Sequence, residues 1–261
     1  MALRTADAGG VALRRRALSQ AAATERWFAA LDERHLANLR PPEVTRALRA
    51  LSSCYVERRE KLASGAPLDS AGKRAAFALF YAPLHFLVTR EIVRALNASA
   101  GMTRVLDLGC GTGSAGAAFA LESGARIDGI DRNPWAVTEA NWTYRTLGVS
   151  GRATVSSIQR AKIRASPGQA ILGAYSINEL SDADRETLLP RLAEAHQRGA
   201  RLLVIEPIAR RMNKWWGSWR DTLTAREDER RFRVRLPERQ RLLATAAGLD
   251  PQELTARTLY R

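Results

Sequence analysis

Two carboxylates and three glycines stand close together in this chain, and their spacing is suited to holding a nucleotide-like ligand. Asp107-Leu108-Gly109-Cys110-Gly111-Thr112-Gly113 ends one apolar run, Arg104–Leu108, and Asp131 closes a second, Arg126–Ile130. A glycine turn that opens a helix leaves backbone N–H groups unpaired, ready for ligand oxygens. Glycine also lets a ligand approach the backbone without meeting a Cβ. An acid after the second strand is placed to accept ribose hydroxyls. Asp107 falls at the end of a buried parallel strand, where a carboxylate costs roughly several kcal/mol unless it is paired. Its partner is either Arg104 or a ligand.

Two ligands fit such a loop. Gly111-Thr112-Gly113-Ser114-Ala115-Gly116 spells the G-x-G-x-x-G of a dinucleotide site. The frame disagrees, however. The strand ends at Leu108, so the first turn glycine is Gly109, and Ser114 then falls where the third glycine belongs. The chain also lacks Tyr-x-x-x-Lys and has no histidine at an expected strand end, so a hydride-transfer proton donor is missing. In its correct frame the segment matches acid-x-Gly-x-Gly-x-Gly and resembles the class I, Rossmann-like methyltransferases. That resemblance implies S-adenosylmethionine as cofactor, with Gly109, Cys110, Gly111 and Gly113 wrapping its methionine end. It also implies that Asp107 positions the loop and the amino group, and that Asp131 takes both ribose hydroxyls. Arg132, Ser157 and Tyr175 complete the expected cofactor contacts. Asp131 has a second reading as the cap of a helix over 133–147. Ser156-Ser157-Ile158-Gln159 lacks the acid that many members place near the adenine amine, leaving Gln159 or backbone groups to serve. At the end of the fourth strand, Asn178 would accept a hydrogen bond from an acceptor amino group and Glu179 would act as a weak base. The alternative is a turn cap and a first-turn helix acid. Methyl transfer from an activated sulfonium depends mainly on alignment and desolvation, so a sparse catalytic set is no objection to an enzyme.

Phe77-Ala78-Leu79-Phe80-Tyr81-Ala82-Pro83, Tyr175–Leu180 and Leu203-Val204-Ile205-Glu206-Pro207 occur in an order that resembles the methyltransferase-like family associated with small ribosomal subunit assembly. The likeness spans about residues 70 to 260. It implies a ribosomal particle as target, or an assembly factor that keeps the cofactor site with little catalysis. The cysteine cluster of that family is absent, because Cys54 and Cys110 are the only cysteines.

The elements that would position these residues follow from periodicity. Residues 1–10 are expected to fray. Helices are expected over 12–39, with Leu18, Ala22, Trp27, Phe28 and Leu31 inward, and from Pro42 to about Leu62, with Val44, Leu48, Leu51 and Tyr55 on one face. Another starts near Ser70 and is split by Pro83 at Tyr81-Ala82. Strands and helices then alternate: strands at 104–108, 126–130, 153–158, 170–176, 201–205, 231–236 and 253–259, and helices at 114–121, 133–147, 182–197 and 238–247. Residues 208–229 look irregular. The prediction is an α/β fold: a doubly wound, mainly parallel sheet at 70–261, with an all-helical extension at 1–69.

Composition narrows the remaining choices. The net charge is +14 and all but four of the 41 basic residues are arginine, so RNA or a ribonucleoprotein is an expected partner, with genomic arginine bias as the competing cause. Residues 210–220, four basic side chains among Trp215, Trp216 and Trp219, are the expected contact surface, or else a helix that packs its tryptophans inward. A small-molecule methyltransferase is the third alternative. Isolated histidines (His35, His85, His196) and two separated cysteines predict no metal site and a reducing, cytoplasmic setting. No run approaches the roughly 18 apolar residues that span a bilayer, and no membrane partner is expected. Oligomeric state is left open.

Overall fold

The central strands are filled with apolar side chains and the edge strand Arg226–Phe232 is mostly charged, and the structure assembles seven strands into one sheet. The computed structural model describes residues 5–57, 68–208, 214–232, 237–249 and 254–261. β1 (Arg104–Leu108), β2 (Arg126–Asp131), β3 (Gly151–Val155), β4 (Gln169–Ala174) and β5 (Arg201–Glu206) are parallel. β7 (Leu254–Tyr260) lies antiparallel between β5 and β6 (Arg226–Phe232), giving the order β3-β2-β1-β4-β5-β7-β6. The expected doubly wound, mainly parallel sheet is present. The order reverses between β1 and β4, which opens a crevice beyond the carboxyl ends of these strands.

Side chains alternate across the sheet and serve two apolar layers. Val105, Ile127 and Leu172 join one cluster, while Leu106, Leu108, Ile130 and Ile171 join the other. The first layer holds α4 (Ala82–Ala95), α5 (Ser114–Ser123) and α6 (Pro134–Leu147); the second holds α7 (Asp182–Gln197) and α8 (Trp216–Leu223). α9 (Glu238–Ala246) sends Ala244 into the first layer.

The N-terminal helices α1 (Thr5–Leu36) and α2 (Pro41–Glu57) share the first layer: Trp27, Leu48 and Leu51 are fully buried with Phe86 and Phe119. Glu139 of α6 clamps α1. Arg34 Nη2 reaches Glu139 Oε1 at 2.7 Å and Nε reaches Oε2 at 2.9 Å, while His35 Nε2 lies 3.2 Å from Oε2. These contacts hold the Glu139 carboxyl below its ordinary range, against the opposing effect of its burial. Glu139→Gln removes the charge they share. It is expected to cost about 2 kcal/mol and lower the melting temperature by roughly 5 °C, because Arg34 is half in water and is not stranded. A melting curve coincident with the parent's would show that the clamp contributes nothing.

Several expectations need correction. Gly9-Gly10 lie within α1 rather than in a frayed end, and Leu18 and Ala22 face solvent while Ala23 replaces them in the core. Residues 208–229 contain α8 and the start of β6, which begins at Arg226 rather than 231. β3 runs two residues earlier than expected and ends at Val155. The Tyr55 side chain, the expected run of α2 from 58 to 62, residues 210–213 and residues 233–236 lie outside the described residues. The stretch Ala71–Ala95 is one helix, long and apolar enough by length and composition to cross a membrane, yet 67% of that window is buried inside the protein, as a core helix is. It comprises α3 (Ala71–Ala76), capped by Ser70, a π-helical turn over Phe77–Tyr81, and α4, with Pro83 in its first turn. The expected break at Tyr81-Ala82 is thus a π-turn inside a continuous helix.

Candidate functional site

The glycine loop between β1 and α5 sits at the crevice and is held from below. Gly109, Gly111 and Gly113 have φ of +70°, +52° and +80°. Only glycine enters this region freely. Space also requires glycine at 113, where a Cβ would lie 2.9 Å from Ala140 Cα and 2.7 Å from Tyr144. Asp107 lies beneath the loop, 1% exposed, and its Oδ2 accepts the Gly116 N–H at 3.0 Å, tying the first turn of α5 to β1. Arg104 is not its partner; that arginine pairs with Asp128 at 3.1 Å. Burial raises the Asp107 carboxyl to about 7, the Gly116 N–H opposes the rise, and the negative Asp131 adds to it.

Asp131 ends β2 at the crevice, half-buried. Its Oδ2 accepts Gly111 N–H at 2.9 Å and its Oδ1 accepts Asn133 N–H at 2.8 Å. The cap of α6 is Asn133, whose Oδ1 accepts from Trp135 N and Ala136 N, so the capping alternative for Asp131 fails by two residues. Among the described residues no ion pair reaches Asp107 or Asp131 in a chain of net charge +14. The N–H groups of Cys110, Gly111 and Gly113 are taken within the protein, so what this loop offers a ligand is two carboxyl groups with no cationic partner among the described residues, a setting that fits a cationic ligand. S-Adenosylmethionine, with its ammonium and sulfonium charges, has that chemistry.

Other expected contacts are partly displaced. Cys110 contributes through its backbone: its N–H donates to Ile130 O at 2.8 Å, while its buried Sγ lies beside Gly129 and Tyr144. Burial pushes that thiol well up. Ser157 stands next to Asp131, because Ser156 N–H donates to Asp131 O at 2.9 Å. Arg132 is exposed. Gln159 is exposed and bonds Asp184 through its side chain, so the adenine role expected for it does not fit.

The expected catalytic pair, Asn178 and Glu179, lies just past the end of β4. Asn178 is bonded within the protein: its N–H and Nδ2 donate to Glu206 at 3.0 and 2.9 Å, and its Oδ1 accepts from Trp215 Nε1 at 3.0 Å. It fixes the fully buried Glu206, and its Oδ1 keeps one lone pair beyond the Trp215 bond. Glu179 lies half-buried in a 3-10 turn, Ile177–Glu179. Two of the three tryptophans of 210–220 pack inward, and Trp215 lies half-buried beside them. Trp216 and Trp219 are each 2% exposed in the second apolar layer, and Trp216 Nε1 donates to Glu227 at 2.9 Å. They are not available to stack on bases. Arg220 pairs with Asp221 and Glu227.

Sequence reasoning passed over an aromatic group at the same edge. Phe77, Tyr81 and His85 come from the helical stretch at 71–95, and Tyr175 from the end of β4. The His85 imidazole stacks on the Tyr175 ring at 4.0 Å and 11°. Phe77 and Tyr81 lie 6.2 and 6.1 Å from His85. The spacing of 77, 81 and 85 repeats every four residues and would have placed them on one helix face. Its signal was lost because the same stretch is apolar on every side. Tyr175 has φ +58°, an outlier for a bulky residue, of the kind concentrated at functional sites.

Residues 105–199 match the model of a methyltransferase domain. The chain is 33% identical over 122 residues to the O-methyltransferase resE of Aspergillus sclerotiorum, covering 46% of this chain and 45% of that protein. It is 28% identical over 120 residues to an O-methyltransferase of Pyrenophora dematioidea, covering 46% and 44%. The chain therefore spans just under half the length of the curated relatives it matches. A solved S-adenosylmethionine-dependent methyltransferase from Leishmania major superposes with a TM-score of 0.50 at 12% identity, covering 78% of this chain and 81% of that one. The fold of this chain is that of the class I S-adenosylmethionine-dependent methyltransferases, and S-adenosylmethionine is the cofactor its methyltransferase domain takes.

Proposed function

We propose that the protein is an S-adenosylmethionine-dependent methyltransferase whose acceptor is a hydroxyl oxygen of a small molecule. The observation that carries the donor half is the pair Asp107 and Asp131, unneutralised at a glycine loop. The oxygen acceptor rests on the two curated O-methyltransferases, each matched over 46% of this chain. The cofactor supplies an activated methyl group. The protein's own work is positional: Asp131 fixes the loop at Gly111, Asp107 fixes α5, and the aromatic edge excludes water from the crevice.

A second reading keeps an RNA or ribosomal particle as the target, or an assembly role with little catalysis. Net charge +14 favours it, while the burial of Trp216 and Trp219 takes away two of the three rings on which it leaned. Transfer of tritiated methyl into separated RNA, protein and small-molecule fractions decides between them. Label is expected in the small-molecule fraction. Label confined to RNA or protein would overturn the acceptor assignment, and cofactor binding without label in any fraction would favour the assembly role.

A further inference from the structure

Resting on the methyltransferase reading, we propose that Phe77, Tyr81, His85 and Tyr175 form the acceptor site, that it takes a planar phenolic ring, and that His85 accepts the hydroxyl proton.

The placement comes from two anchors on the cofactor loop. Phe77 Cζ lies 4.0 Å from where a Cβ on Gly111 would sit, and its ring faces His85 edge-on at 79°. At the other end, Tyr175 leads into Ser176, whose hydroxyl donates to Leu108 O at 2.6 Å and whose Cβ lies 2.6 Å from a Cβ built on Gly109. Phe77 therefore borders the loop at Gly111, and the chain that carries Tyr175 passes it at Gly109. Four rings meeting at one edge favour a flat aromatic guest, through offset and edge-to-face contacts.

His85 and Tyr175 carry the polar chemistry. Neither the imidazole nitrogens nor the Tyr175 hydroxyl has a hydrogen-bond partner among the described residues, although each side chain is half-buried. Neither is among the polar atoms closed off from solvent, so a guest hydroxyl can meet them in place of water. Burial lowers the His85 imidazole to about 4, which keeps it neutral and a proton acceptor near neutrality. It pushes the Tyr175 hydroxyl up, with the negative Glu206 adding to the effect, so that hydroxyl stays a donor. An imidazole of such low basicity is a weak proton acceptor, and a phenol, with pKa of about 10, asks less of it than an aliphatic alcohol does.

The step balances. The phenol oxygen forms a bond to the methyl carbon, and the carbon–sulfur bond breaks with its pair passing to sulfur, leaving a neutral thioether. The phenolic proton passes to the neutral His85 nitrogen and from there to solvent.

The test uses the full-length protein, His85→Gln and a series of substituted phenols of graded acidity. In the parent, turnover is expected to vary little across the series. In His85→Gln it should fall by about 100-fold for the least acidic phenols and recover for phenols already ionised at the assay pH. Calorimetry should give the same S-adenosylmethionine affinity for both proteins. Independently of turnover, the His85 C2-proton resonance, assigned by its loss in the variant, should shift when phenol is added with S-adenosylhomocysteine present. An equal loss across all phenols, or an unmoved resonance, overturns the role of His85. Methylation of small molecules with none of the phenols accepted overturns the acceptor class and leaves the methyltransferase reading standing. Absence of any methyl transfer sinks that reading instead.

Discussion

Asp131→Ala is expected to weaken S-adenosylmethionine binding by at least ~100-fold while the protein stays folded. Hydrogen bonds to a charged acceptor contribute about 1.5–3 kcal/mol each, and two ribose hydroxyls are available to Asp131. Its two backbone partners, Gly111 N and Asn133 N, use one lone pair on each oxygen and leave others for the ribose. The substitution also frees the Gly111 N–H, so a modest fall in the stability of the cofactor-free protein should accompany it. Calorimetry separates the two roles. Lower stability with unchanged affinity would make Asp131 a loop tie and nothing more. Tight binding of NAD in place of S-adenosylmethionine would sink the donor assignment altogether.

Asp107→Asn should remove a large pH dependence of folding between about pH 4 and 7 in the cofactor-free protein. The folded carboxyl titrates at about 7, above the ordinary value of 3.8. A raised folded pKa stabilises fully below the unfolded value, and that contribution is lost as pH rises through the folded one. Asp107 therefore favours folding below about pH 4, and its contribution disappears between there and about 7, a swing of about 4 kcal/mol. Denaturant unfolding of parent and variant across this range should show the parent losing stability relative to Asp107→Asn as pH rises. Parallel curves would mean that the carboxylate is compensated in the apo protein. A cationic ligand should reverse the penalty, so S-adenosylmethionine binding below about pH 7 is expected to release a proton, visible as buffer-dependent binding heats.

The sequence was most legible where one residue type had one physical job. Gly109, Gly111 and Gly113 mark a turn that only glycine can make, and the apolar runs around them give β1 and β2 within a residue. Gly148 at positive φ ends α6 where expected. Legibility fell where partners are distant in the chain. The use of Asn178 depends on Glu206 and Trp215, and nothing local announces that its amide is already bonded. His85 looked isolated because its neighbour Tyr175 is ninety residues away in sequence. The tryptophans of 215–219 offered two faces of equal merit until the sheet supplied a core to receive one of them. The division at residue 69 follows composition, while the packing of Trp27 and Leu51 crosses it.

The π-turn at Phe77–Tyr81 means that this helix carries one residue more than a regular α-helical path would need. The extra residue rotates everything after it by roughly 100°. One rod thereby acquires two phases, so that α3 meets α2 while α4 meets α5. A single-residue deletion between 77 and 81 would restore a plain α-helix and turn one half against the other, carrying His85 off the Tyr175 ring without altering any residue of the site. Length variation at this turn would therefore move His85 relative to Tyr175 without any substitution.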